Sequence, residues 1–178
     1  MNFTTIKNVV DRKAATLLKS LRSIKSVYTN ENIFIKTLFM ANKFEVLRDA
    51  LQGKGITLNT TAADENAPKI KRQTKMVKER VRSTWNSLPY KKLPNRMISH
   101  MVENAFFLLN ALPLNSGMSC TISSRALMTG TAIDFNRHRE IEFGAYSEAH
   151  EKTFPRNSMK SRTEPTICLG TTGNLQGS

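Results

Sequence analysis

Between Lys69 and Arg82 the chain sets Lys69, Lys71, Arg72, Lys75, Lys78, Arg80 and Arg82 against a single acid, Glu79. Lys71, Lys75, Lys78 and Arg82 step by four, three and four residues, a spacing that predicts a helix carrying one continuous basic face. Like charges aligned this way cost a helix stability unless an anion neutralises them. A phosphate backbone does so while releasing its own counterions, with about one log unit of salt dependence per contact. Trp85, at the end of the same segment, has a ring that can stack on a base or anchor a core. The chemistry on offer is recognition of a polyanion, and Lys69, Lys71, Arg72, Lys75, Lys78, Arg82 and Trp85 are the candidate nucleic-acid contacts. A solvated basic face would show the same pattern.

Catalytic constellations are sparse by comparison. His100, His138 and His150 are far apart and form no HExxH pair, and the sequence contains neither a Walker-type phosphate loop nor a nucleophile elbow. Gly117 and Gly130, like Gly170 and Gly173, are too scattered to cradle a phosphate. Cys120 and Cys168 are two isolated thiols without a CxxC, which fits a reduced, intracellular setting and plain packing roles. Asp64 with Glu65, and Glu140 with Glu142, pair carboxylates as two-metal chemistry requires, but adjacency alone does not build a metal site. Asp64 and Glu65 are better placed to favour the positive end of a helix dipole.

The elements that would position these residues follow from periodicity. Phe3 to Val10 is β-branched and aromatic and predicts a strand. Lys13 to Tyr28 predicts an amphipathic helix, with Leu17, Leu21, Ile24 and Tyr28 on its apolar stripe, Lys19, Arg22, Lys25 and Ser26 on the wet side, and Asp11 as N-cap. Ile33 to Met40 reads as a buried strand. A short helix follows with Phe44, Val46, Leu47, Ala50 and Leu51 inward and Gly53 and Gly55 as stops, and β character resumes at Ile56 to Thr61. Strand and helix alternating in sixty residues predict an α/β unit with at least two parallel strands. Pro68 opens the basic helix, which runs to Ser87. Met97 to Leu112 is a packing helix, with Met97, Met101, Val102, Ala105, Phe106, Leu108 and Leu109 as core. Asn115 to Ser119 reads as a loop, Arg125 to Met128 as a helical turn, Ile141 to His150 as a strand, Thr153 to Glu164 as an exposed loop and Thr166 to Gly170 as a strand. Gly173 to Ser178 reads as a hairpin turn whose return strand is missing.

Composition frames these elements. The 178 residues are 39% hydrophobic and 23% charged, an ordinary globular balance that rules out a disordered polyelectrolyte. The longest apolar run, Ala105 to Leu109, falls far short of the roughly 20 residues that span a bilayer, so no membrane partner is expected. Residues Met1 to Val10 lack the pattern of a secretory signal. The 27 Lys and Arg against 14 Asp and Glu leave a formal charge of +13, which favours nucleic acid as partner.

Several segments together resemble a known family. Ile56–Ala62, Pro68–Gln73, Val77–Arg82, Trp85–Pro89, Leu108–Pro113, Met128–Asn136, Phe143–Tyr146, His150–Glu151, Ile167–Gly170 and Gly173–Gly177 are similar to the integrase core of copia-type retrotransposon Pol polyproteins. The resemblance covers nearly the whole chain. It implies a partial ribonuclease-H-like α/β core over residues 1–113, followed over 114–178 by a connector and an incomplete small β-barrel segment. In that family the core joins element DNA to target DNA through two divalent ions, Mg²⁺ in the active enzymes, held by three acids. The first acid is expected upstream of Met1, the second falls at Ala41 and the third at Lys71. The resemblance thus implies a truncated, catalytically inactive remnant with no resident metal, nuclear if its DNA binding is retained, and able to form oligomers through an exposed sheet edge. Two alternatives stand beside it. One is an active polynucleotidyl transferase using Asp49, Asp64 or Glu65 as substitute ligands; the other is a non-functional or scaffolding fragment.

Overall fold

The computed structural model describes residues 3–61, 68–113, 119–138, 141–150, 159 and 161–170. Helices and short strands alternate, and the chain forms two compact units, residues 5–76 and residues 1–4 with 77–178. The division falls between Met76 and Val77. The boundary expected after Pro113 adjoins residues 114–118, which lie outside the described residues.

Residues 5–76 are built on a small α/β motif. Helix α1 (Ala14–Asn30) leads to strand β1 (Thr37–Ala41), a 3-10 helix (Asn42–Leu47), helix α2 (Arg48–Gln52) and strand β2 (Thr57–Thr61). The two strands pair in parallel, Thr37 opposite Thr57 through Ala41 opposite Thr61, as the alternating sequence predicts. The crossover between them supplies the core: Leu47, Leu51, Ile56 and Leu58 are buried, with Leu17, Leu18, Leu21, Leu38, Met40 and Phe44 packed around them. Val46, expected to face inward, is 73% exposed, because the segment begins as a 3-10 helix with three residues per turn and so turns a different face to the core.

Both helices that lead into a strand end in the same way. After α1, Ile33 N–H donates to Tyr28 C=O and Asn32 N–H to Thr29 C=O, with Asn32 at φ 58°. After α2, Ile56 N–H donates to Leu51 C=O and Gly55 N–H to Gln52 C=O, with Gly55 at φ +69°. This paired bonding around a left-handed residue is the Schellman pattern, and in the second case the apolar residue beyond it, Ile56, joins Leu51 in the core. Asp11 is not the cap of α1. Its carboxylate accepts from Lys13 N–H at 3.2 Å, and Lys13 itself occupies the N-cap position.

Arg48 ties the crossover to the sheet. Thr57 N–H donates to Lys36 C=O, so the next carbonyl along, that of Leu58, points to the outer edge of β2. Arg48 Nη1 donates to that carbonyl at 3.1 Å and Nη2 lies 3.4 Å from Thr60 Oγ1. The same guanidinium holds both oxygens of Glu45, Nη2 at 3.0 Å from Oε2 and Nε on Oε1. The open edge expected from the sequence is therefore partly covered on the β2 side. Bonding to Arg48 holds the Glu45 carboxyl below its ordinary range.

The second unit centres on helix α4 (Asn95–Ala111), whose buried residues Met97, Met101, Ala105 and Leu109 recur every four positions. Helix α5 (Ser124–Thr129) is capped by Ser123, whose Oγ accepts from Ala126 N–H at 3.1 Å, and contributes Met128 to the core. A short helix α6 (Phe135–His138) precedes an antiparallel pair, β3 (Tyr146–His150) and β4 (Thr163–Ile167). Ser147 and Thr166 face each other across it, hydroxyl to hydroxyl at 3.1 Å. Gly144, at φ +83°, leads into β3 where an added Cβ would sit 2.2 Å from Leu88 Cδ2.

Other expectations need correction. Phe3 to Val10 is not a strand, because the Thr4 backbone is engaged by a side chain: its N–H donates to Asn110 Oδ1 at 2.9 Å and its C=O accepts from Asn110 Nδ2 at 2.6 Å. Ile33 to Lys36 stays outside β1, which pairs only from Thr37. Strand β3 begins at Tyr146, since Gly144 N–H and Ala145 C=O are bonded to Cys168 in the approach to the ladder. Strand β4 begins at Thr163, inside the expected loop, because Thr163 pairs with His150. What the described residues form there is a two-stranded sheet and not a closed barrel. The expected loop at 115–118, most of 153–160 and the hairpin at 173–178 lie outside the described residues.

Asn110 is 8% exposed and makes both bonds that its amide offers to Thr4. Replacing Asn110→Ala should therefore lower unfolding free energy by about 1–3 kcal/mol, measured by urea denaturation, and should speed exchange of the Thr4 amide proton. The Glu45–Arg48 pair predicts a pH effect. A carboxylate whose folded pKa is depressed stabilises the fold above its ordinary pKa and loses that contribution as pH falls through the lower folded-state value. Wild type should exceed Glu45→Gln in urea midpoint at neutral pH, and the gap should close as pH falls from above the ordinary glutamate pKa through the depressed folded-state value.

Candidate nucleic-acid interface

Helix α3 (Pro68–Ser87) opens on proline, whose fixed φ suits a first helical position, and runs for 20 residues. Gln73, Met76, Val81, Thr84 and Trp85 are half-buried and Val77 is buried, which marks one side of the helix as its packed side. Lys71, Lys75, Lys78 and Arg82 all lie on the exposed side, turned well away from Val77 by the 3.6-residue period. At 1.5 Å per residue these four cations span about 16 Å of helix. Arg72, Arg80 and Glu79 are exposed on its flanks. Lys69 has a helical backbone, and its side chain lies outside the described residues.

The stripe expected from spacing is therefore brought onto one solvent-facing surface, and Trp85 is placed beside the packed side and not within the stripe. That position suits Trp85 better as an anchor for the helix than as a stacking platform. Thr74 and Thr84 keep their hydroxyls on the helix's own carbonyls, those of Ile70 and Arg80, at 2.9 and 3.1 Å.

The positions that the resemblance aligns with metal ligands, Ala41 and Lys71, do not fit a divalent cation. Ala41 is the exposed last residue of β1 and has no donor atom on its side chain. Lys71 lies at the end of the first turn of α3, and its ammonium group donates hydrogen bonds and repels cations. Asp49 is exposed in the first turn of α2; Asp64, Glu65 and Glu140 lie outside the described residues. Among the described residues, no three His, Cys, Asp or Glu side chains form a group able to hold a metal.

The histidines are dispersed. His100 Nδ1 sits 3.0 Å from Glu103 Oε2 one turn along α4, and His150 is exposed at the end of β3. Cys120 and Cys168 are free thiols. No helix among the described residues is long and apolar enough to cross a membrane.

Two features of residues 5–76 were missed in the sequence. One is the Arg48 contact with β2; Glu45 and Arg48 at i and i+3 were its only local signal. The other is Lys25, assigned to the wet side of α1 but half-buried, with its stem along an apolar pocket. No model of a known protein family matches the sequence, and no curated protein matches it.

Proposed function

We propose that the chain is a nucleic-acid-binding relative of retrotransposon integrases that has lost catalysis. The observation that carries this reading is the exposed alignment of Lys71, Lys75, Lys78 and Arg82 on the side of α3 away from Val77. The packed side takes about half of the circumference and leaves the other half to solvent or to a partner, and four cations over about 16 Å suit a run of backbone phosphates. Contacts of this kind position a protein on a strand without reading bases, so the expected binding is sequence-independent. The loss of catalysis rests on Ala41 and Lys71, which replace two acids of the family pattern with a methyl group and a cation.

In fluorescence-anisotropy titrations on duplex DNA, four phosphate contacts give a slope of log Kd against log salt of about 3–4. Reversing Lys75, Lys78 and Arg82 together to Glu should lower that slope by about 3 and weaken binding at least tenfold at low salt, with helix content by circular dichroism unchanged. Affinity that ignores both salt and charge reversal would refute the reading. Strand-transfer and nuclease assays with Mg²⁺ or Mn²⁺ should give no turnover. Turnover abolished by Asp49→Asn, Asp64→Asn or Glu65→Gln would show an active metal enzyme instead.

A further inference from the structure

Beyond the stripe of α3, a second set of cations stands on the connector that leads to α4. From Arg80 to Val102 the sequence holds no Asp or Glu, and between Pro89 and Met97 it places Lys91, Lys92 and Arg96. All three are exposed, and none is paired with a carboxylate among the described residues. The connector beneath them is tied down. Leu88 packs against Gly144, the Tyr90 hydroxyl donates to Gly144 C=O at 3.4 Å, Leu93 is half-buried and Met97 is buried. Pro89 and Pro94 remove backbone freedom at either end, since each fixes its own φ and holds the residue before it extended. Apolar side chains thus tether the segment while its charged ones face water. Arg96 stands in the first turn of α4, at the positive end of the helix dipole, and that turn holds no acid. Three like charges on one short segment repel each other, and phosphates relieve that repulsion while shedding their own counterions.

We propose that Lys91, Lys92 and Arg96 form a second phosphate-contact patch, so that the nucleic acid bound by α3 is held at two places. The inference rests on the nucleic-acid reading of α3 and extends its footprint from a helix face to the connector that follows. Because its own packing orders the connector before any strand arrives, little backbone entropy is lost on contact. The aromatic rings nearby are committed inward: Trp85 is half-buried beside the packed side of α3, and Tyr90 is half-buried with its hydroxyl bonded. The patch therefore contacts phosphates and not bases. Duplex DNA is the partner it fits, since stacking of unpaired bases needs open ring faces.

The test is a set of fluorescence-anisotropy titrations of the full chain on duplex DNA over a range of salt. Three contacts added to the four of the α3 stripe give a slope of log Kd against log salt of about 6. Neutralising the patch, Lys91→Gln with Lys92→Gln and Arg96→Gln, should lower that slope by about 3 and weaken binding about tenfold or more at low salt. Removing the same charge from exposed positions of the other unit, Lys7→Gln with Arg12→Gln and Lys19→Gln, should leave the slope within about one unit of wild type. Helix content by circular dichroism and the urea midpoint should be unchanged in both variants. A connector variant whose slope stays at the wild-type value, or falls no further than that of the control, overturns the inference, and a slope that still falls on reversing Lys75, Lys78 and Arg82 then leaves the α3 reading standing. A slope that depends on the connector and not on α3 upholds the patch and refutes the α3 reading. Wild-type binding that ignores salt refutes both.

Discussion

Leu47 has no surface left to water, and the architecture of residues 5–76 turns on its burial. It stands at the last position of the 3-10 helix, between the end of β1 and the start of α2. Leu51, Ile56 and Leu58 close around it, and α1 contributes Leu17, Leu18 and Leu21 from the periphery. Truncation of a wholly buried leucine costs about 2–5 kcal/mol, a large share of what holds a small domain together. The parallel pairing of β1 with β2, the Arg48 bond to Leu58 and the turn through Gly55 all adjoin this cluster. A two-stranded sheet has little stability of its own; its inner face is the lid of that cluster.

The second unit repeats the arrangement with different materials. Met101 is its fully buried counterpart, on a helix whose inward residues recur every four positions. Its polar exception is Asn110, which is tolerated because its amide meets both backbone groups of Thr4. With both cores assembled by other elements, α3 has few packing obligations. Val77 is buried and Gln73, Met76, Val81, Thr84 and Trp85 are half-buried beside it, so the opposite side of the helix carries charge that a core helix could not.

Legibility in the sequence followed the range of the interactions. The helices at Lys13, at Pro68 and at Met97 were readable because their apolar stripes repeat within each segment, and the basic stripe of α3 was readable for the same reason. Strand limits were less so. β1 and β4 are bounded by whichever residues find partners, Thr57 for the one and His150 for the other, and neither partner is near in sequence. Phe3 to Val10 has strand composition, but composition cannot report that a distant asparagine takes the place of a neighbouring strand. The Lys25 side chain was misassigned because its wet-side position on the helical wheel is real for its ammonium group and not for its stem.

By itself, then, the sequence determined the charge of the molecule, the helix that concentrates it and the parallel character of the first strand pair. These are properties of residue type and local period, and no fold is needed to state them. Tertiary structure decided which face of α3 is packed, because that depends on where Val77 finds cover. It decided that Arg48 guards the edge of β2, through its bond to the Leu58 carbonyl. Arg48 and Leu58 lie ten residues apart across the rest of α2 and its turn, and only the packing of Leu47, Leu51, Ile56 and Leu58 brings the guanidinium to that edge.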